Sequence, residues 1–514
     1  MKFLDEIKLI QGGMGVYVSN WRLAQAVSKE KPGITAGTVS GTGLDVVYTR
    51  LLQLGDPGGH IRRALQAFDQ QFTCQIGQRI IDRYFIENGK KPDARFKYPP
   101  KQVVHNLNGN KIIPKPVSSQ GPVELTMEDE VIELLIATCF AEVWLAKEGH
   151  QGRIFINFMH KIELPLIYCM YGAMLAGVDG MIVGAGNPDG LPKVCSLYAT
   201  HQQVTHPLVV LYRESGEDFQ LVFDPKTFAD GVFTHKPLNR PAFLAIVSSE
   251  NLASSLAQSL SEKPDGFVIE HHTAGGHNAS PQGPLILDDR GQPVYGEEDE
   301  PDFDSIRQTG LPFWLAGGYS TREKIQTALS LGANGVQVGS IFALSQESGL
   351  RPSHKTAILN KLKQGVEDSE LVQTTLFSPT GYPFKVANLE GTLSEESVYQ
   401  NRQRVCDLGL LQQRALGKTK EDGSRLMTQR CVAEPITHFT DKRGLERNTK
   451  DRRCLCNGLL AAVGLGQIID EKGVAVEEPA IVTLGNNLGS IRRLSGNGQT
   501  NYWVKDVITD LLIS

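Results

Sequence analysis

Long apolar runs are missing from this chain of 514 residues. The richest stretch, 164–186, is broken by Asp179 and several glycines, so it reads as a helix followed by a strand rather than a membrane span. Met1-Lys2-Phe3-Leu4-Asp5-Glu6 opens no apolar segment of signal-peptide length, which speaks against export. Basic excess is missing too: 52 Lys and Arg against 57 Asp and Glu give a net charge of −5. That excludes the electrostatic footprint of a nucleic-acid or anionic-membrane binder. Cysteine is sparse, eight residues scattered over the whole length, which suits a reducing cytoplasm and argues against a disulfide-stapled module. There is no solenoid repeat and no low-complexity tract. What remains is a globular composition, 40% hydrophobic, expected to act in the cytoplasm on small molecules. A homo-oligomer is compatible with it.

What the chain does have is glycine at the ends of short apolar runs. Eight such runs recur with helical segments between them: 8–13, 34–40, 153–158, 180–185, 242–248, 266–271, 313–318 and 335–340. Parallel strands alternating with helices predict a (β/α)₈ TIM barrel. An open doubly wound sheet would place its phosphate loop after the first strand. Gly12-Gly13-Met14-Gly15 follows that strand but lacks the GxGxxG spacing and the later acidic residue. The two late runs end in Ala316-Gly317-Gly318 and Gly339-Ser340, which present backbone N–H groups at the C-terminal rim, where a phosphate-bearing cofactor is expected.

The barrel, 1–386, is interrupted. An insertion after strand 2, about 58–150, reads as helical over 58–88, rich in Pro, Lys and Asn over 89–122, and as an amphipathic helix over 128–147. It is expected to be a cap, a lid or an oligomer contact. A second insertion, about 207–240, carries apolar runs at 208–213 and 219–223 around Glu214-Ser215-Gly216-Glu217-Asp218 and reads as a hairpin. Residues 387–514 read as a C-terminal extension packed on the barrel.

One imidazole stands out. The sixth run leads through Glu270-His271 into Ala274-Gly275-Gly276-His277, which sets His277 on a glycine loop at the same rim. An imidazole of near-neutral pKa suits proton transfer. His271, His272 and His277 lack a well-spaced further ligand, since Glu270 points to the opposite face from His271, so no metal is assigned there. Cys431, His438, Cys454 and Cys456 offer a Cys₃His count, but C-x-C is an uncommon zinc spacing and buried thiols are ordinary core residues. Ser378-Pro379-Thr380-Gly381-Tyr382-Pro383-Phe384-Lys385 reads as a rigid turn or as a flap that brings Lys385 to an anion. Gly184-Ala185-Gly186-Asn187-Pro188 would line the pocket or simply turn the chain. Asp45 and Arg50 read as a solvated face or an ion pair.

These motifs, in their order and strand positions, resemble the nitronate monooxygenase family, also called 2-nitropropane dioxygenase-like. The resemblance covers residues 8 to 386 without the insertions. The whole chain is similar to a long bacterial subgroup carrying Lys147-Glu148-Gly149-His150 and Arg453-Cys454-Leu455-Cys456-Asn457-Gly458. The resemblance implies a TIM barrel that binds FMN and oxidises alkyl nitronates with O₂. Flavin-dependent enoyl-acyl-carrier-protein reductases, which use NAD(P)H, share that fold and give the alternative. A flavin-free lyase or isomerase of a phosphorylated metabolite is the third reading, and it would call for a strand-end lysine or a metal triad.

In these terms Gly317, Gly318, Gly339 and Ser340 are candidates for the FMN phosphate, with Ser340 also able to donate its hydroxyl. Gly12, Gly13, Met14 and Gly15 would let the backbone approach the flavin ring. Asn157 would hydrogen-bond the pyrimidine edge. Gly275 and Gly276 carry the catalytic candidate, His277. Its continuation, Asn278-Ala279-Ser280-Pro281, departs from the family's usual glycine after the histidine, which bears on the substrate more than on the cofactor.

Overall fold

The structure, a computed structural model, describes residues 2–110, 112–113, 121–375, 378–471, 473–496 and 501–513. Parts of the 89–122 stretch and of the 387–514 extension therefore lie outside the described residues. Eight parallel strands close into a barrel: β1 (Leu9–Gln11), β2 (Thr35–Ser40), β3 (Arg153–Met159), β4 (Gly180–Gly184), β5 (Ala242–Val247), β6 (Gly266–Glu270), β7 (Phe313–Ala316) and β8 (Gly335–Val338). Each pairs with its neighbours in sequence. The ring closes where Leu9 of β1 faces Thr35 of β2 on one side and Val336 of β8 on the other. All eight expected strands are there.

The strands read as near-continuous buried runs because both faces are covered, inward by the barrel core and outward by helices. Ile10, Ala36, Phe155, Ile182, Leu244, Val268 and Trp314 fill the interior, and Leu4 and Ile7 pack against them. The Trp314 indole N–H donates to the Ile7 carbonyl at 2.9 Å, so the ring's polar edge is satisfied inside. A filled barrel leaves the strand ends as the place for a site.

Three sequence readings need correction. The second insertion does form a hairpin, but its first strand is Val204–Pro207, which pairs antiparallel with Phe219–Phe223. Val210–Leu211 turns away to run parallel with Gln413–Leu416 of the C-terminal region. The helix Asp129–Lys147 is buried nearly all round. Helices His60–Phe72 and Glu163–Leu175 pack against it, and a helix sandwiched in this way loses its amphipathic pattern. Asp45 and Arg50 are buried rather than on a solvated face, and the ion-pair alternative holds for Arg50, which donates to Asp407 at 2.6 Å, while Asp45 accepts from Gln102 at 2.9 Å.

The additions are knitted together. Val104–Asn106 and Val123–Met127 from the first insertion share a four-stranded sheet with Phe219–Phe223 and Val204–Pro207 from the second. A second sheet joins Ile112–Ile113, Arg425–Arg430, Gln413–Leu416 and Val210–Leu211. Both insertions and the C-terminal region are thus paired strand to strand.

Candidate functional site

A cavity of about 640 Å³ opens at the C-terminal ends of the barrel strands, within the size range of small-molecule sites. Gly12, Gly13, Met14, Gly15, Asn157, Gly275, Gly276, His277, Gly317, Gly318, Gly339 and Ser340 all line it. Residues far apart in sequence converge because each follows a barrel strand and the strands end at one rim. Gly184, Ala185, Gly186 and Asn187 line the wall as well.

The cradle needs its glycines. A Cβ on Gly13 would stand 2.2 Å from Asn157 Cβ, so this position admits no side chain while Asn157 stays in place. Gly317 and Gly318 adopt φ of 98° and 76°, which turn the chain after β7 and which other residues adopt only under strain. The Ser340 hydroxyl accepts the Gly485 N–H at 2.8 Å and keeps its own proton to donate. Asn157 Nδ2 donates to the Ile182 carbonyl at 3.2 Å. Gln337 Oε1, on the cavity wall, is buried with no hydrogen-bond partner. A buried acceptor without a donor is costly unless a ligand provides one. The glycine cradle, the free hydroxyl proton and this orphan acceptor fit a phosphate-bearing flavin.

Gly276–His277 forms a short strand paired antiparallel with Phe384–Ala387, His277 facing Phe384 at ring centroids 4.8 Å apart. His277 Nε2 lies 2.9 Å from Ser378 Oγ, which is 2.6 Å from Thr380 Oγ1. Lys161 Nζ donates to that same Thr380 hydroxyl at 3.4 Å and stands 4.0 Å over the Tyr382 ring. The 378–385 segment, read as a rigid turn or a flap, thus comes to the cavity rim, where its hydroxyl groups meet His277 and Lys161. Lys385 instead donates to the His272 carbonyl at 2.7 Å and is buried.

Burial and the Lys161 cation lower the His277 pKa to about 3, so the imidazole is neutral at physiological pH. This corrects the near-neutral pKa expected from sequence. Burial lowers Lys161 to about 8 against the opposing pull of Glu270. Burial raises Glu270 to about 7, against the pull of Lys161 and Lys385. Glu270 lines the cavity.

Sequence reasoning missed Lys161, Gln337 and the contribution of the C-terminal region. Lys161 lies two residues beyond β3, and His160 N–H still bonds the Gly184 carbonyl at 2.8 Å, extending the strand pairing to the rim. A lysine of the kind the lyase reading calls for thus stands just beyond a strand end. Leu410, Leu411, Leu455, Leu459, Leu484 and Asn487 give the cavity a wall that is mostly apolar. For Leu484 the signal was the run Ile481-Val482-Thr483-Leu484-Gly485, which ends in glycine as the barrel strands do; the other wall residues carried none.

Glu300 comes to 2.8 Å from His271 Nε2, and with His272 the three place donor atoms within 4.8 Å of one another. The His271 nitrogens are already engaged by Glu300 and by Thr273, the latter at 2.8 Å. His438 is exposed and takes no part in the cysteine group.

Fold and rim together define a TIM-barrel protein with a glycine-walled, histidine-bearing cavity. Residues 229–388 match the family model described as nitronate monooxygenase, so the resemblance read from the motifs is shown over the segment with the His277 loop and both glycine turns. A probable nitronate monooxygenase of Bacillus subtilis is 32% identical over 118 residues, 22% of this chain and 30% of that protein. The match thus spans less than a third of that relative's length. Among solved structures, FabK from Thermotoga maritima is 14% identical with a TM-score of 0.45, covering 99% of this chain and 93% of that one. Nitroalkane oxidase from Streptomyces ansochromogenes is 11% identical at 0.44, covering 98% and 94%. The enoyl reductase domain of MlnA from the macrolactin cluster of Bacillus amyloliquefaciens is 11% identical at 0.43, covering 97% and 91%. At these identities and TM-scores the likeness carries nothing about activity. Among the described residues no helix is long and apolar enough to cross a membrane.

Proposed function

We propose that the chain is an FMN-dependent oxidoreductase acting on a substrate that is, or becomes, anionic beside His277 and Lys161. The observation that carries this reading is the convergence of the glycine turns after β1, β6, β7 and β8 with His277 on one cavity. Gly317, Gly318, Gly339 and Ser340 would hold the phosphate, and Gly12, Gly13, Met14 and Gly15 would admit the ring. Asn157 and Gln337 would meet its polar edge. When bound, FMN supplies redox chemistry that no side chain here possesses.

The leading substrate is an alkyl nitronate with O₂ as oxidant, a reading supported by the match of residues 229–388. A nitronate arrives already deprotonated and asks for no base. A neutral His277 would orient it by hydrogen bonding, and the Lys161 ammonium would face its charge. The second reading, NAD(P)H-dependent reduction of an enoyl thioester, is favoured by the apolar wall of Leu410, Leu411, Leu455 and Leu459, which suits an acyl chain better than a small nitronate. There the same two residues would polarise the thioester carbonyl as enolate charge develops. A flavin-free lyase using Lys161 predicts a protein without flavin.

The test is anaerobic titration of the flavin-loaded protein. Bleaching by a nitronate but not by NADPH supports nitronate oxidation. Bleaching by NADPH, with reoxidation by an enoyl thioester, supports the reductase. Failure of both excludes the two substrates.

A further inference from the structure

Among the described residues that line the cavity, Glu270 is the one carboxylate and Lys161 the one lysine. Glu270 ends β6, in register with Ala316 of β7 and two residues beyond Val268. Val268 and Ala316 belong to the core that fills the barrel, and side chains two apart in a strand share a face. Glu270 therefore points inward as well, at the top of the filled barrel. The four residues before it in β6 are buried, and Glu270 is only partly so because it opens on the cavity.

Its carboxylate has no partner of its own. Buried carboxylates elsewhere are held by arginines: Glu163 by Arg414, Glu217 by Arg425 and Glu478 by Arg402. Among the described residues no hydrogen bond or ion pair reaches the Glu270 carboxylate. Lys161 and Lys385 face it by charge, yet both spend their hydrogen bonds elsewhere. Lys385 donates to the His272 carbonyl at 2.7 Å, and Lys161 donates to the Thr380 hydroxyl at 3.4 Å. The third titratable group at this place, His277, is neutral and bonded to Ser378. A carboxylate that opens on a cavity with its lone pairs free is placed to take a proton from whatever binds there. Burial against the pull of the two lysines sets it near 7, so part of it is ionised at neutral pH and part is not.

We infer that Glu270 is a catalytic residue, the base that takes the α-proton from a neutral nitroalkane and so produces the nitronate inside the cavity. This deepens the leading reading of the site and rests on it. The Cα–H bond breaks and its proton forms an O–H bond on Glu270. The electron pair left on carbon becomes the C=N bond, and the N=O pair moves onto oxygen, where Lys161 and His277 face the new charge. No electron leaves the substrate in this step, so no oxidant is consumed. The substrate class thus widens from preformed nitronates to the nitroalkanes that give rise to them, with the proton role that the sequence assigned to His277 falling to Glu270.

The test is exchange of the α-protons of nitroethane with D₂O, followed by NMR, on the flavin-loaded full-length protein without O₂. Exchange well above the buffer rate, rising with pH through about 7 as the carboxylate forms, supports the proposal. Glu270→Gln should slow the exchange by roughly 10²-fold, and Glu270→Asp should retain more of it than Glu270→Gln does. The wild-type pH profile decides even if these variants fail to fold. Unchanged exchange in folded Glu270→Gln, or a flat wild-type profile, leaves Glu270 only balancing the charge of Lys161 and Lys385 and overturns the proposal. Bleaching of the same preparation by preformed nitronate reports on the leading reading itself. Bleaching without exchange overturns the role of Glu270 and leaves that reading standing, whereas no bleaching overturns both.

Discussion

Lys161 and His277 stand at opposite ends of one chain of hydroxyl groups, Lys161 bonding Thr380, Thr380 meeting Ser378, and Ser378 meeting His277 Nε2. Burial, with the Lys161 cation adding to it, lowers His277 to about 3, and burial lowers Lys161 to about 8. At physiological pH the pair is a neutral imidazole and a mostly protonated amine.

That arrangement sets a pH limb. Lys161 is charged below about 8 and loses its proton above it, so KM for an anionic substrate should rise as pH passes through about 8. Lys161→Met should raise KM at pH 7 by roughly 10-fold and erase the limb. Steady-state kinetics from pH 6 to 9.5 check this, and an unchanged limb in the variant would assign it to another group.

His277 cannot serve as an efficient base with its pKa lowered to about 3. His277→Ala should therefore slow nitronate and neutral nitroalkane turnover by the same factor, on the order of 10², while flavin stays bound. A selective loss with the neutral nitroalkane would return the base role to His277.

Gly13 and Gly317 test the cradle by steric means. Gly13→Ala places a methyl where Asn157 stands, and Gly317→Ala forces a φ of 98° and a Cβ 2.9 Å from Thr273 Oγ1. Each should lower flavin retained after gel filtration by roughly 10-fold, with the melting temperature falling by only a few degrees, about 1–3 kcal/mol of strain. Full flavin retention in both variants would remove these turns from the cofactor site.

The barrel and its rim were legible because each relies on local pattern. A β-run buried on both faces and a glycine at its end can be read without knowing what lies across the ring, and all eight runs could be placed this way. The hydroxyl chain could not, since Lys161, His277 and Thr380 come from three distant segments whose meeting only the closed ring decides. The pKa of His277 was misread for a related reason: it depends on burial and on Lys161, neither of which shows in the local sequence. For Arg50 a solvated face and an ion pair stayed equally open, because the partner that decides for the ion pair, Asp407, is 357 residues away.

Away from the site, Glu142 couples stability to pH. It is fully buried, accepts the Tyr48 hydroxyl at 2.6 Å, and burial raises its pKa to about 8. The folded state then holds a proton that the unfolded chain releases above about 4.5, so stability should fall as pH rises from about 5 to 8, by on the order of 3 kcal/mol. Glu142→Gln should flatten that part of the profile in urea denaturation at pH 5.5 and 8, and an unchanged slope would place the titration elsewhere.

The most direct test of the central claim is the absorbance spectrum of the purified full-length protein after incubation with FMN and gel filtration. Flavin should co-elute at about one per chain with its bands perturbed by the cavity. Protein that elutes folded and colourless from excess FMN would contradict it.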